Sequence, residues 1–492
     1  MIIKAKSDYY GTLFDKSSQS PRDIWKNINS VLNLSKNSLK PPISEIIVND
    51  IKITQTKDIC NALNDFFTNI GPDLASRIKP SRSNFTEYCP PSLCNSFYCV
   101  PTTATEIISI VSSLNEHKSP GLDNIGPKLL KLIINHIAHI LEYIFNLSFS
   151  TGVVPAKLKF AKIVPIHKKG PANIPGNYRP IALLSIFSKI LERLMFNRVY
   201  DFLTVNKIFF KYQFGFRKSH STSLALIELI DKLLLNLDKG DKSVGTFLDL
   251  QKAFDTVNHD ILLYKLNIYG IRGLSHDWFT SYLSGRMQFV SISNHNSSLA
   301  TITCGVPQGS ILGPLLFLIY VNDINNCTSD CDLKLFADDT NMFTFGKNSV
   351  NNINKANVVL DDLSEWFKSN KLSLNIEKTS YCIFGLDHTA QSATNVPVSI
   401  NNCQIAQVQN IKYLGVYIDN MLDWSIHIDY VYNKLLKFVG IFYKLGRYLP
   451  LSLMKSLYFS LVYPSLLYGI EVYANTYTSH LKRLIILNNY LI

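Results

Sequence analysis

The chain has 492 residues, 47% of them hydrophobic, which is enough for a sizeable buried core and excludes a disordered polypeptide. Its 49 Lys+Arg against 37 Asp+Glu leave a net charge of +12, a balance suited to a polyanionic partner such as nucleic acid. Nine scattered cysteines make no disulfide framework, and the first twenty residues, with Lys4, Lys6, Asp8 and Asp15, lack the apolar stretch of a secretory signal.

In chain order, residues 1–100 are rich in Ser, Asn, Lys and Pro and are expected to be linker-like, with short helices near Ile24–Leu32 and Ile59–Phe67. Cys89, Cys94 and Cys99, five residues apart, have no fourth ligand of clear spacing and do not make a structural zinc set. Thr105 is expected to cap a helix through Ile107, Ile108, Val111 and Leu114. Leu129, Leu132, Ile133, Ile137, Ile140, Leu141, Ile144 and Phe145 then recur at helical spacing, predicting a long helix with a wide buried face. Ala161–Ile166 reads as a strand and Ile181–Leu203 as a helix. Between Gly152 and Pro180, Lys157, Lys159, Lys162, Lys168, Lys169 and Arg179 occur without one acid, a pattern suited to phosphate.

From Ser243 to Ile418 short strands alternate with helices. The expected elements are a strand at Val244–Asp249, helices from about Asp260 and Gly309, a strand pair around Leu333–Phe345 and a helix near Val358–Ser369. This pattern suits an α+β fold. The longest apolar run, Leu312–Val321, is too short to cross a bilayer and reads as core, so no membrane span is predicted. After Trp424 the chain reads as helices broken at Pro450 and Pro464. There Lys434, Lys437, Lys444, Arg447, Lys455, Lys482 and Arg483 form a second basic region with Glu471 as its one acid after Asp429.

The strongest chemical signal is Leu333-Lys334-Leu335-Phe336-Ala337-Asp338-Asp339-Thr340-Asn341-Met342-Phe343, two adjacent carboxylates between strand-like runs, at the tip of a predicted hairpin. Alone, such a pair is an ordinary turn. Some ninety residues upstream, however, Val244-Gly245-Thr246-Phe247-Leu248-Asp249 is a strand ending on a third carboxylate. Three hard oxygen donors on neighbouring strands could hold Mg²⁺, and two such ions about 3.5–4 Å apart suit an in-line phosphoryl transfer.

Phe336-Ala337-Asp338-Asp339 resembles the paired-aspartate motif of reverse transcriptases, specifically those of jockey-like non-LTR retrotransposons. Other blocks follow the family's order. Phe247-Leu248-Asp249-Leu250-Gln251-Lys252-Ala253-Phe254-Asp255-Thr256-Val257 is similar to its first carboxylate motif, and Gly305-Val306-Pro307-Gln308-Gly309-Ser310-Ile311-Leu312-Gly313-Pro314 to its template-and-nucleotide motif. Asn177-Tyr178-Arg179-Pro180-Ile181 and Gln213-Phe214-Gly215-Phe216-Arg217 are similar to finger-side blocks. Leu374-Asn375-Ile376-Glu377-Lys378-Thr379 and Tyr413-Leu414-Gly415-Val416 are similar to the last palm blocks, so the likeness runs from about Lys118 to Ile418.

The resemblance implies a right-hand polymerase: an N-terminal extension and fingers over 101–242, a palm whose antiparallel sheet carries the carboxylates over 243–420, and a helical thumb over 421–492, with the reverse transcriptase domain at about 148–418. It implies an RNA-directed DNA polymerase that extends a DNA primer on an RNA template with dNTPs, the alternative being an inactive nucleic-acid-binding relic. Asp249, Asp338 and Asp339 are the implied catalytic and metal-binding residues for two Mg²⁺ ions, with Mn²⁺ as a substitute. Lys162, Arg179, Phe254, Gln308 and Gly309 are implied for the nucleotide, Phe254 under its sugar, where a ribose 2′-hydroxyl would collide. Lys378 is implied as a general acid, and Leu414 and Gly415 as a primer grip. Residues 1–100 offer no nuclease constellation, so no endonuclease is expected in this chain, and the sequence reads as a piece of a longer element protein. The expected setting is intracellular, a cytoplasmic ribonucleoprotein and the nucleus.

Overall fold

A computed structural model describes residues 2–17, 21–31, 43–385 and 396–491. The chain begins with helices α1 (Ile2–Ser17) and α2 (Pro21–Val31), a small hairpin of β1 (Ile46–Val48) and β2 (Ile51–Ile53), and the 21-residue helix α3 (Thr56–Ser76). The described part of residues 1–100 is therefore not linker-like. Ile59, Cys60, Leu63 and Phe67 of α3 share one buried cluster with Ala161, Ile163 and Val290 of the body, because they lie on one face of the helix.

Helix α4 (Ala104–Ser112) is capped by Thr103, whose side chain accepts the Glu106 N–H, two residues before the expected Thr105. Helix α5 (Pro127–Thr151) spans the predicted range and ends on Gly152 at φ 68. Its buried stripe is Leu130, Ile134, Ala138, Leu141, Phe145 and Phe149, whereas Leu129, Leu132, Ile133, Ile140 and Ile144, expected inside, are exposed. The helix is apolar nearly all round, so periodicity could not say which stripe packs. It is also the one described helix long and apolar enough to cross a bilayer, where none was predicted; it packs against α4 and against α9 (Leu274–Leu283).

Strand β3 (Phe160–His167) pairs antiparallel with β4 (Tyr178–Leu184), so Ile181–Leu184, expected to be helical, extends a strand, and α6 (Ile186–Val205) begins after Ser185 caps it. Next come α7 (Thr222–Asp238), β5 (Lys242–Leu248), α8 (His259–Ile268), α9, β6 (Arg286–Ile292), β7 (His295–Asn296), β8 (Ala300–Ile302) and α10 (Leu312–Val321). Every described residue of α10 except Pro314 is buried, as the apolar run predicted. The hairpin β9 (Asp332–Phe336)/β10 (Asp339–Gly346) leads through α11 (Ser349–Ser369) to β11 (Ser380–Phe384), β12 (Ser399–Ile400), β13 (Cys403–Gln404), β14 (Ala406–Gln407), β15 (Asn410–Tyr413) and β16 (Val416–Asp419). Helices α12 (Ser425–Leu445), α13 (Leu451–Leu457), α14 (Tyr463–Leu467), α15 (Ile470–Tyr473) and α16 (Thr478–Leu491) close the chain.

The architecture is therefore mixed helix and sheet. One five-stranded sheet has the order β14-β11-β5-β10-β9, antiparallel except for β11 with β14, and a second runs β4-β3-β6-β7 with β8 on β6. Strand β5 is central and buried on both faces apart from its first residue. Phe14, Ile28 and Val31 of the N-terminal helices share a core with Leu435, Phe438 and Leu445 of α12.

Candidate active site

Local sequence makes the site a sheet edge. Strand β10 pairs with β5 in the register Leu248↔Thr340, so one residue further Asp249 stands level with Asp339. The β9–β10 ladder closes at Phe336↔Asp339, leaving Ala337 and Asp338 as a two-residue turn. Ala337 has φ 57 and Asp338 does not share the positive sign, the pattern of a type II′ turn with alanine where glycine is usual. The three predicted carboxylates thus meet at one end of the sheet.

Their electrostatics show the cost of that meeting. Burial raises the Asp338 carboxyl, with the Asp249 charge adding to it and Lys168 and Arg179 opposing. Asp339 keeps solvent contact, yet the protein packed around it and then the charges of Asp338 and Asp249 push it up to about 6. Like charges crowded on hard oxygen donors fit a divalent cation such as Mg²⁺. As the side chains stand, no group of three or more His, Cys, Asp or Glu among the described residues is close enough to form a finished coordination shell.

Asp249 is held by two side chains and a backbone group. Its Oδ2 accepts from Asn375 Nδ2 at 2.9 Å and from Lys378 Nζ at 3.4 Å, while its backbone carbonyl accepts the Asn375 N–H at 2.8 Å. The predicted general acid, Lys378, is thus an ion-pair partner of a predicted metal ligand. That pair is partly exposed and adds little stability. Asn375 was missed as a site residue; its signal was a polar side chain between the apolar Leu374 and Ile376.

Arg179 lies exposed on β4 and its charge reaches Asp338. Lys162 sits on β3 opposite Leu183 and Phe289 and makes no ion pair among the described residues. The lysine near β3 whose charge reaches Asp338 and Asp339 is Lys168. Burial lowers the Lys168 ammonium, with Arg179 and Lys378 adding to the shift and Asp249 opposing it. Lys252, at φ 50, is likewise lowered by burial and by Lys168, Lys378 and Arg179, against Asp255; its Nζ donates to the carbonyls of Gly176 and Tyr178. Four cations, Lys168, Arg179, Lys252 and Lys378, therefore influence one another beside three carboxylates, which suits a triphosphate bridged to a metal.

Phe254 is half-buried, stacked on Phe317 with ring centroids 4.8 Å apart and edge-on to the exposed Phe216 at 6.2 Å. The loop before α10 runs beside it, Val306 N–H donating to the Phe254 carbonyl at 2.8 Å. Gln308 does not offer a free amide: its Nε2 donates to both oxygens of Asp255 at 2.9 Å, and burial raises the Asp255 carboxyl to about 6. Gly309, at φ 119, lies against β4, where a Cβ would come within 2.7 Å of the Ala182 carbonyl oxygen.

Leu414 (φ 44) and Gly415 (φ 89) are the turn of the β15–β16 hairpin, and Tyr468 Oη donates to the Leu414 carbonyl at 2.5 Å. Tyr413 of the same hairpin packs on Phe247 of β5, and the Asp339 charge acts on its hydroxyl. Lys434, Lys437, Lys444 and Arg447 lie on or just after α12.

Residues 166–418, half of the chain, match the sequence profile of the reverse transcriptase (RNA-dependent DNA polymerase) family. Over 405 residues the chain is 32% identical to the RNA-directed DNA polymerase from mobile element jockey of Drosophila melanogaster, covering 78% of this chain and 43% of that protein. It is 31% identical over 407 residues to the probable RNA-directed DNA polymerase from transposon BS of the same organism, covering 79% and 44%. A third relative, the probable RNA-directed DNA polymerase from transposon X-element, is 29% identical over 400 residues. The chain spans less than half the length of these relatives. It belongs to the reverse transcriptase family, beside the polymerases of jockey and other non-LTR retrotransposons.

Proposed function

We propose that this chain is an RNA-directed DNA polymerase that extends a DNA primer 3′-hydroxyl with dNTPs on an RNA template. The carrying observation is the convergence of Asp249, at the end of β5, with the Ala337-Asp338 turn and Asp339 within a matched family region. On this reading the sheet carrying β5, β9 and β10 is the palm, the sheet of β3, β4 and β6 belongs to the fingers, and the helices after Trp424 are the thumb. Residues 101–242, 243–420 and 421–492 divide accordingly, except that β6, β7 and β8, within 243–420, complete the fingers sheet.

Asp249, Asp338 and Asp339 would hold Mg²⁺, which when bound supplies Lewis-acid activation of the primer hydroxyl and neutralises triphosphate charge. Arg179, Lys168 and Lys252 orient and neutralise the triphosphate from the fingers side, with Lys162 further along β3. Phe254, braced by Phe317 and Phe216, presents a ring face that excludes a 2′-hydroxyl. Gln308 and Gly309 shape the pocket through Asp255 and Ala182, and Lys378 holds the proton position nearest Asp249. The Leu414–Gly415 turn supports the primer end, and the basic residues of α12 follow the duplex backbone. The same reading gives the chain no nuclease, which Mg²⁺-dependent nicking of supercoiled plasmid by pure protein would overturn.

The test is dTTP incorporation on oligo(dT)-primed poly(rA) with Mg²⁺, comparing the chain with Asp338→Ala/Asp339→Ala. Incorporation lost in the variant supports the reading. A folded chain that binds template-primer and incorporates nothing would instead mark a relic that keeps only binding.

A further inference from the structure

We propose that Gln213 is the positioning residue of the carboxylate turn, holding Ala337 in its left-handed conformation and so setting where Asp338 and Asp339 point. The inference rests on the polymerase reading above for its activity readout. Gln213 is 3% exposed and lies in a short segment that runs alongside β9: Phe214 N–H donates to the Leu335 carbonyl at 2.8 Å and Leu335 N–H to the Tyr212 carbonyl at 2.9 Å. From there its side chain spans the turn. Oε1 accepts the Ala337 N–H at 2.9 Å and the Gly215 N–H at 2.8 Å, while Nε2 faces the Ala337 carbonyl at 3.4 Å.

Ala337 needs such a partner for two reasons. It lies beyond the last ladder pair, Phe336↔Asp339, and is buried, so its N–H has no strand to donate to and would otherwise be orphaned. It is also a residue with a Cβ at φ 57, a conformation that costs an L-residue about 1–2 kcal/mol. Gly215 completes the clamp by absence: a Cβ there would fall 2.2 Å from the Ala337 nitrogen, so the two backbones touch. Strain held by surrounding contacts beside a reacting centre is a recurrent way of fixing geometry.

The experiment uses Gln213→Met, which keeps the shape and removes the hydrogen bonds, in the natural background and in Ala337→Gly, where glycine favours the turn unaided. Steady-state dTTP incorporation is expected to show kcat lowered about 30-fold by Gln213→Met, with template-primer affinity within about threefold, since small misplacements near the chemistry act on rate. In the Ala337→Gly background the same substitution is expected to cost under about fivefold. Hydrogen exchange of the 333–343 segment, read on the same proteins, is expected to rise in Gln213→Met and not in the natural chain. Equal losses in both backgrounds, an unchanged kcat, or unchanged exchange in the turn would overturn the proposal. If the natural chain incorporates nothing, the polymerase reading fails, and the exchange comparison still decides the clamp.

Discussion

Two hairpin turns, linked through Tyr413 packed on Phe247 of β5, solve one problem differently. The Ala337-Asp338 turn of β9–β10 and the Leu414-Gly415 turn of β15–β16 both join strands through two residues and both need positive φ. The second puts glycine at φ 89 in one of its two positions and leucine at φ 44 in the other, with one brace from the Tyr468 hydroxyl on the Leu414 carbonyl. The first keeps alanine and is braced by Gln213 and Gly215. The difference teaches that the turn next to the carboxylates has its N–H, its carbonyl and its backbone approach all held by one neighbouring segment, while the other has a glycine and a single outside hydroxyl.

The largest effect that separates the two turns is expected from Asp338→Ala alone. Incorporation should fall by about 10³-fold or more while binding of template-primer stays within about threefold, because what is lost is charge stabilisation at the reaction. A filter-binding assay beside the incorporation assay checks both. Gly415→Val breaks the other turn: at φ 89, with Tyr468 3.1 Å from the site of a Cβ, strain of about 1–2 kcal/mol is expected. It should appear as a several-fold rise in KM for primer-template with kcat nearly kept. Tyr468→Phe removes only the hydroxyl donor to Leu414, for a loss of about 1 kcal/mol in thermal or urea unfolding.

The smallest effect is a pH contrast of opposite sign. Asp339, raised to about 6 from its ordinary 3.8, takes up its proton more readily folded than unfolded. Its contribution to stability therefore falls as pH rises from about 4 to about 6. Asp339→Asn should melt higher than the natural metal-free chain above pH 6, with the gap closing below about pH 4. His427, buried on α12 beside Tyr417 of β16, is lowered by its burial, and further by Lys412, to about 4. Its contribution is complete above pH 6.5 and is lost as pH falls toward 4. Exchange in the 410–419 hairpin, corrected for intrinsic rates, should rise over that acidic range. A rise on the alkaline side would contradict the assignment.

How much of this was legible depended on whether function had marked the residues. The carboxylate hairpin, β5 and the three meeting aspartates were readable because strand patterns end on charge, which a core does not tolerate without purpose, and α10 because its run is apolar throughout. Strand β4 was obscured: Ile181-Ala182-Leu183-Leu184 and α6 are apolar on both sides of a single Ser185, and the pairing with β3 shows that this serine is a helix cap rather than a residue within a helix. The packed face of α5 could not be chosen because Leu and Ile occur on both sides of it. Gln213 carries no chemical signal of its own, since what its amide does depends on the turn it reaches, 124 residues away in sequence. Lys168 looked like any member of a basic run until β3 and β4 placed it beside the carboxylates.

The Leu248↔Thr340 pairing has a further consequence for how this protein can be damaged. Side chains on a strand alternate, so one residue inserted or deleted between Lys242 and Leu248 would turn Asp249 toward the opposite face of the sheet. Such a lesion, placed before Phe247, would retain every aspartate and every motif letter while dispersing the site they form. A gene copy carrying it would look intact to a composition count and be silent, because in this stretch the length of the strand is as much a heritable part of the site as its carboxylates.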